Sequence, residues 1–181
     1  DLGWYGDKTQ VVARFFGGKE KTGMAWDGVD YNTAYGIDGA DRRYNPAGEY
    51  TDAEGNTKYY DNQTDNYAQQ HAQLQLTHRF TPNWSLNATL HYTHGGGYYE
   101  QYKRKSFEYW GPNRYTDVNG EKVKKAYGMY RKSLDNHFAG AIVSAKYVNE
   151  HVDVQFGAAG NDYIGEHFGT LNYIQDSVYG G

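Results

Sequence analysis

The chain contains no cysteine, which removes a disulfide framework, a thiol nucleophile and any cysteine-ligated zinc site. Long apolar runs are missing too, and no stretch approaches the roughly 20 apolar residues of a membrane-spanning helix. Leu, Ile and Val are too sparse to line a large two-layer α/β core. There is no surplus of positive charge: 18 Lys and Arg stand against 22 Asp and Glu, and the basic residues are scattered. Nucleic-acid binding by bulk charge is therefore not expected. No Gly-x-Ser-x-Gly elbow, phosphate-binding loop or His-Glu-x-x-His helix occurs, so neither an enzyme nor a cofactor-binding protein is expected. Carboxylates are plentiful, but nothing selects one pair as acid and base. Helical periodicity is almost absent.

What is present is unusual in combination. Aromatic residues make up 17% of the chain, led by 20 Tyr, although mean hydropathy is −0.94. With 23 Gly and only three Pro, and abundant Asn, Asp and Thr, the composition is that of a turn-rich β protein.

Two segments alternate with period two about a short turn. In the first, Ala72–Phe80 and Trp84–Thr93 flank Thr81-Pro82-Asn83, a turn-forming triplet. Pairing Phe80 with Trp84 sets Leu76 opposite Ala88, Leu74 opposite Leu90 and Ala72 opposite Tyr92. The reverse face then pairs Thr77 with Asn87 and Gln75 with Thr89. One face is almost wholly apolar and the other wholly polar, so a one-residue slip would destroy the pattern. In the second, Ala139–Tyr147 and Val152–Ala158 flank Val148–His151. Pairing Tyr147 with Val152 brings Val143 against Phe156 and Ala145 against Val154, with Lys146 facing Asp153. A weaker hairpin is expected at the start, turning at Gly6-Asp7-Lys8. Long polar, aromatic-rich connections are expected over roughly 20–65 and 104–133, and no domain boundary is visible.

The apolar stripes end in aromatic residues, Phe80 and Trp84 at the turn and Tyr92 beyond, with Tyr147 at the second turn. Trp84 to Tyr92 spans about the 9–11 residues with which a tilted strand crosses a bilayer. Short turns at one end, long loops at the other and aromatic collars are the marks of outer-membrane barrels. The expected fold is therefore all-β: antiparallel up-and-down hairpins forming part of a transmembrane β-barrel. Leu74, Leu76, Leu86, Leu90, Val143, Val154 and Phe156 would face lipid, and Phe80, Trp84, Tyr92 and Tyr147 would form the aromatic girdle. A secreted or surface β-sandwich that binds carbohydrate through aromatic loops is the competing reading.

Several stretches resemble the barrel of TonB-dependent outer-membrane receptors of the Bacteroidetes type. They are Gly18–Thr22 with Ala25–Val29, Arg43–Glu49, Tyr60–Tyr67, Leu90–Thr93 with Gly97–Glu100 and Tyr102-Lys103, and Asn161–Gly169. The resemblance implies a 22-stranded barrel closed by a plug domain, substrate binding on extracellular loops, and import driven by the TonB complex acting on the plug. About six strands are expected here, with no plug segment, no TonB box and no signal peptide, so an internal piece of such a receptor is implied. An iron chelate is the default cargo, with a glycan or cobalamin as other bulky nutrients.

The candidate ligand contacts are loop aromatics and arginines: Trp26, Tyr31, Tyr35, Arg42, Arg43, Tyr98, Tyr99, Tyr102, Tyr109 and Trp110. Aromatic rings stack on sugars or flat chelators, and Arg pairs with carboxylates. No metal site is expected. His91 and His94 are three apart on a strand and point to opposite faces, and His71 and His91 are only diagonal neighbours. Asp27–Asp30 and Asp38–Asp41 lack the EF-hand pattern and are expected to form turns. Gly95-Gly96-Gly97 is expected to be a flexible exit from its strand.

Overall fold

The computed structural model describes residues 1–106, 109, 120 and 125–175. Strands β1 (Leu2–Tyr5) and β2 (Thr9–Gly23) are followed by a short helix α1 (Tyr31–Tyr35), a single 3-10 turn and the strands β3 (Glu49–Thr51) and β4 (Thr57–Tyr59). Four long strands complete the described chain: β5 (Thr64–Arg79), β6 (Trp84–Ser106), β7 (Lys125–Val148) and β8 (Asp153–Gln175). The protein is all-β, built on a six-stranded sheet of order β1-β2-β5-β6-β7-β8, with β3 and β4 as a separate pair.

The three hairpins form at the turns expected from the sequence, and the two alternating ones keep their expected registers. Thr77 Oγ1 donates to Asn87 Oδ1 at 2.9 Å, His71 Nδ1 lies 2.8 Å from Thr93 Oγ1, and Phe80 N donates to Trp84 O. All three contacts belong to the Phe80–Trp84 register. Lys146 Nζ meets Asp153 Oδ2 at 3.0 Å, and Tyr163 OH donates to Asn136 Oδ1 at 2.9 Å, as the Tyr147–Val152 register requires. In the first hairpin Leu2 pairs with Ala13 and Trp4 with Val11, and Gly6 N donates to Thr9 O.

Two expectations about the connections are corrected. The strands run further than the apolar pattern: β2 reaches Gly23, β6 reaches Ser106 and β7 starts at Lys125, so the two ends of the predicted loop 104–133, over 104–106 and 125–133, are strand. Gly95-Gly96-Gly97 does not end its strand either. A Cβ at Gly95 would collide with the Tyr67 hydroxyl, so the missing side chain makes room for an aromatic ring and the ladder continues. Strand formation here depends on cross-strand partners rather than on alternating hydrophobicity, which is why a periodicity reading stops short.

The predicted turn residues take ordinary capping roles. Asp30 caps α1, its carboxylate accepting from Thr33 N at 3.1 Å and from Thr33 Oγ1 at 2.8 Å. Those bonds hold its carboxyl below the usual range. Gly36, at φ 68°, closes the helix in the left-handed conformation. Asp41 accepts from Arg43 N.

The chain forms two compact units, one of Asp1–Glu20, Tyr67–Gly97 and Leu134–His167, the other of Lys21–Asn66, Tyr98–Ser133 and Phe168–Gly181. Each is assembled from three separated segments, so no cut in the sequence divides them and no linker composition marks them.

The first unit has almost no core; Gly95 is the one buried position among its described residues. The pairings above, with Thr9 against His78 across β2 and β5 and Tyr92 against His137 across β6 and β7, place Leu2 and Trp4, Val11 and Ala13, Leu74 and Leu76, Leu86 and Leu90, Val143, Val154 and Phe156 on one face of its sheet. Phe156 is 64% exposed, Leu90 55% and Leu74 45%. Along β6 this stripe is bounded by a Trp84–Tyr147 ring contact at 5.0 Å and by Tyr92 against His137 at 6.0 Å. Phe80 lies at the turn end, edge-on to His78. Eight residue steps from Trp84 to Tyr92, at about 3.3 Å each, give about 26 Å of strand. The opposite face carries Thr77, Asn87, His71, Thr93, Lys146 and Asp153.

Candidate functional site

Burial is concentrated in the second unit, where Ala47, Glu100, Gln101, Tyr102, Ala126 and Met129 are buried. Its centre is a carboxylate. Glu100 is 2% exposed, and both of its oxygens are saturated. Oε2 accepts from Tyr60 OH at 2.7 Å and Asn62 Nδ2 at 2.7 Å; Oε1 accepts from Arg131 Nε at 2.9 Å, Arg131 Nη2 at 2.6 Å and Asn172 Nδ2 at 3.1 Å. Burial pushes the Glu100 carboxyl up. The bonds from Tyr60, Asn62 and Arg131, with the guanidinium charge, outweigh it and hold the group below its ordinary value. The Arg131 guanidinium also lies 3.8 Å from the centre of the Tyr98 ring, a cation–π contact that orients its fork.

Tyrosines surround this pair. Tyr102 stacks on Tyr127 at 5.2 Å and on Tyr60 at 5.9 Å, and is tilted against Tyr50 at 5.0 Å and Tyr173 at 6.5 Å. Burial raises the Tyr102 phenol well above its usual value. Burial, then the bond to Glu100, does the same for Tyr60. These hydroxyls stay protonated, and that of Tyr60 donates to Glu100. Tyr59 on β4 and Tyr44, ahead of β3, both donate to Glu49 Oε2, and the bond to Glu49 pushes the Tyr44 phenol up to about 12.

Beside the cluster is a cavity of about 320 Å³ lined by Trp26, Asp27, Pro46–Glu49, Gln63, Tyr102–Lys105 and Tyr127. Its walls are mostly polar, with three cations against two carboxylates, and carry the three rings of Trp26, Tyr102 and Tyr127. Among the described residues, Gln63 Nε2 is buried without a hydrogen-bond partner. An unmet buried donor costs about 1–3 kcal/mol. The arrangement suits binding of a flat or anionic molecule by stacking and by Lys103, Arg104 and Lys105. A second cavity, of about 300 Å³ in the first unit, lies along Phe16–Glu20, Tyr67, Gln69 and His71. Phe16 stacks on His71 there at 4.7 Å.

The predicted ligand contacts divide accordingly. Trp26 and Tyr102 line the first cavity, Trp26 packing against Tyr99 at 4.7 Å. Tyr98 and Tyr99 belong to the same unit, Tyr98 beneath Arg131 and Tyr99 with Lys132 5.9 Å away. Tyr102 is only 5% exposed, so most of its ring packs rather than waits for a ligand. Tyr31 and Tyr35 contact each other at 4.6 Å on α1 and are exposed. Arg42 Nε donates to Ala34 O, and Arg43 is an exposed partner of Asp41. None of these four lines the cavity. Tyr109 meets Tyr130 edge-on at 6.0 Å. Trp110 lies outside the described residues. Glu100, Arg131, Tyr60, Asn62, Asn172 and Gln63 were not anticipated; they come from four separated stretches, and no local spacing signals it.

No family model, no curated protein and no solved structure matches this chain.

Proposed function

We propose that the chain is part of the barrel wall of a TonB-dependent receptor in the bacterial outer membrane, importing a bulky nutrient such as an iron chelate. The observation that carries this reading is the sheet of the first unit. It is an antiparallel meander with one exposed apolar face bounded by aromatic residues and one polar face. A large uncovered apolar patch marks a surface meant for another apolar phase, and the stripe from Trp84 to Tyr92 has about the 9–11 residues with which a tilted strand crosses a bilayer. A carbohydrate-binding sandwich would bury such a face against a second sheet. The lipid-facing set, Leu74, Leu76, Leu86, Leu90, Val143, Val154 and Phe156, and the girdle, Phe80, Trp84, Tyr92 and Tyr147, are then the contacts with outer-membrane lipid.

In this reading ligand capture falls to the cavity lined by Trp26, Gln63, Lys103, Arg104 and Lys105, with the Glu100–Arg131 pair fixing the strands behind it. Stacking would select a flat ligand and the cations an anionic one, as in a catecholate or carboxylate iron chelate. The TonB complex would act through a plug elsewhere in the receptor. Uptake of radiolabelled ferric chelate by cells expressing the whole receptor tests this directly. Uptake should be saturable and should stop when TonB is deleted or the proton gradient is collapsed. Recovery of the protein in the soluble extracellular fraction, with affinity for glycans and no uptake, would overturn it in favour of the secreted sandwich.

A further inference from the structure

The first unit holds a second constellation that ligand capture does not use. His94 on β6 and Asp135 and His137 on β7 present one ligand atom each, all within 4.8 Å of one another. His94 Nε2 lies 2.7 Å from Asp135 Oδ1, and His137 Nε2 lies 3.6 Å from the same oxygen. The two imidazoles are stacked, centroids 4.8 Å apart at 29°. Cross-strand pairing places His94 beside Asp135, while Asp135 and His137, two apart on one strand, share a face. Donor atoms around a single ion with bonds of about 2.0–2.2 Å lie roughly 3–3.6 Å apart, so modest side-chain rotation suffices.

A further feature separates this group from a chance cluster. His137 presents Nε2 to the shared carboxylate while its other nitrogen, Nδ1, lies 2.6 Å from Tyr92 OH. A metal-binding histidine characteristically commits its second nitrogen to a neighbouring hydrogen-bond partner, which fixes ring orientation and tautomer. Tyr92 already holds that position.

We propose that His94, Asp135 and His137 form a binding site for a divalent transition-metal ion, with Tyr92 as its positioning residue. Two imidazoles and one carboxylate suit zinc, copper, nickel or ferrous iron, and do not suit calcium or magnesium, which take oxygen donors. Three protein donors leave at least one position for water or an anionic ligand. The ion would clip β6 to β7 just past the Tyr92 end of the apolar stripe. The site is independent of the transport proposal, because it rests on cross-strand geometry alone.

The test is Zn²⁺ calorimetry and Cu²⁺ electron paramagnetic resonance on the protein purified in metal-free detergent buffer. One equivalent of Zn²⁺ should bind, and the Cu²⁺ spectrum should show hyperfine structure from two imidazole nitrogens. His94→Ala/His137→Ala should lower Zn²⁺ affinity at least 100-fold, and the nearly isosteric Asp135→Asn should weaken it without disturbing the fold. Tyr92→Phe should keep the stoichiometry and weaken binding about tenfold. His151→Ala/His167→Ala should bind as the parent does. Absence of stoichiometric binding by protein with a native circular dichroism spectrum would overturn the proposal. So would unchanged affinity in a folded His94→Ala/His137→Ala variant.

Discussion

Glu100 and Gly95 show how much one residue can decide in this chain. Glu100 carries a charge in a nearly closed site and is tolerated because five hydrogen bonds and the Arg131 guanidinium compensate it. Glu100→Ala would leave Arg131 without its counter-charge, at about 3 kcal/mol of stability, the lower end of the range because Arg131 keeps access to water. Denaturant titration of parent and variant measures the difference. The same group makes stability depend on pH. Its folded-state pKa lies below the ordinary value of 4.5, so its contribution is fully present above that value and is lost as pH falls through the lowered folded value. The parent should therefore lose stability on acidification below about pH 4.5 more steeply than Glu100→Gln. Gly95 works by absence. Gly95→Ala should cost about 1–3 kcal/mol by overpacking against Tyr67. Adding Tyr67→Leu, which withdraws the ring, should recover part of the loss, and a double-mutant thermal-unfolding cycle reads that coupling.

At the level of the strand and hairpin, the alternating stretches are where sequence reasoning reaches furthest. The Phe80–Trp84 and Tyr147–Val152 registers follow from local pattern because a one-residue slip would exchange the two faces. Pairing across the long 107–124 connection has no such local constraint. The contacts Tyr92–His137, His94–Asp135 and Glu100–Arg131 all depend on how β6 meets β7, and comparing histidines within one strand or one hairpin could not find them. In the proposed barrel, faces should also respond differently to charge. Leu90→Arg on the apolar face should cost about 2 kcal/mol, the lower part of the depth-dependent range since Leu90 lies near Tyr92. Thr89→Arg on the polar face should be nearly neutral. Heat-modifiable mobility of the whole receptor in outer-membrane fractions compares the two; equal assembly of both variants would remove the lipid assignment of that face.

For the whole molecule, the main consequence is an exposed apolar face with no covering layer among the described residues of the first unit. Burying such surface is favourable by roughly 25 cal/mol per Å², so it will find a partner. Without detergent, the purified protein should self-associate at micromolar concentration; in detergent micelles it should run as a single species. Light scattering coupled to size exclusion distinguishes these outcomes. A stable detergent-free monomer would remove the support that this face gives to the membrane reading.

The sequence by itself determined the turns of the three hairpins and, in the two alternating ones, which side chains share a face, because those depend on period-two alternation and on nearby turn residues. It also excluded cysteine chemistry and membrane-crossing helices by composition alone. Only the tertiary structure decided what the polar and aromatic residues beyond the stripes do. Tyr60, Asn62, Glu100, Arg131 and Asn172 meet from segments tens of residues apart, and His94 meets Asp135 and His137 across a long connection. Such encounters depend on which strands become neighbours, a property of the fold that local spacing does not encode.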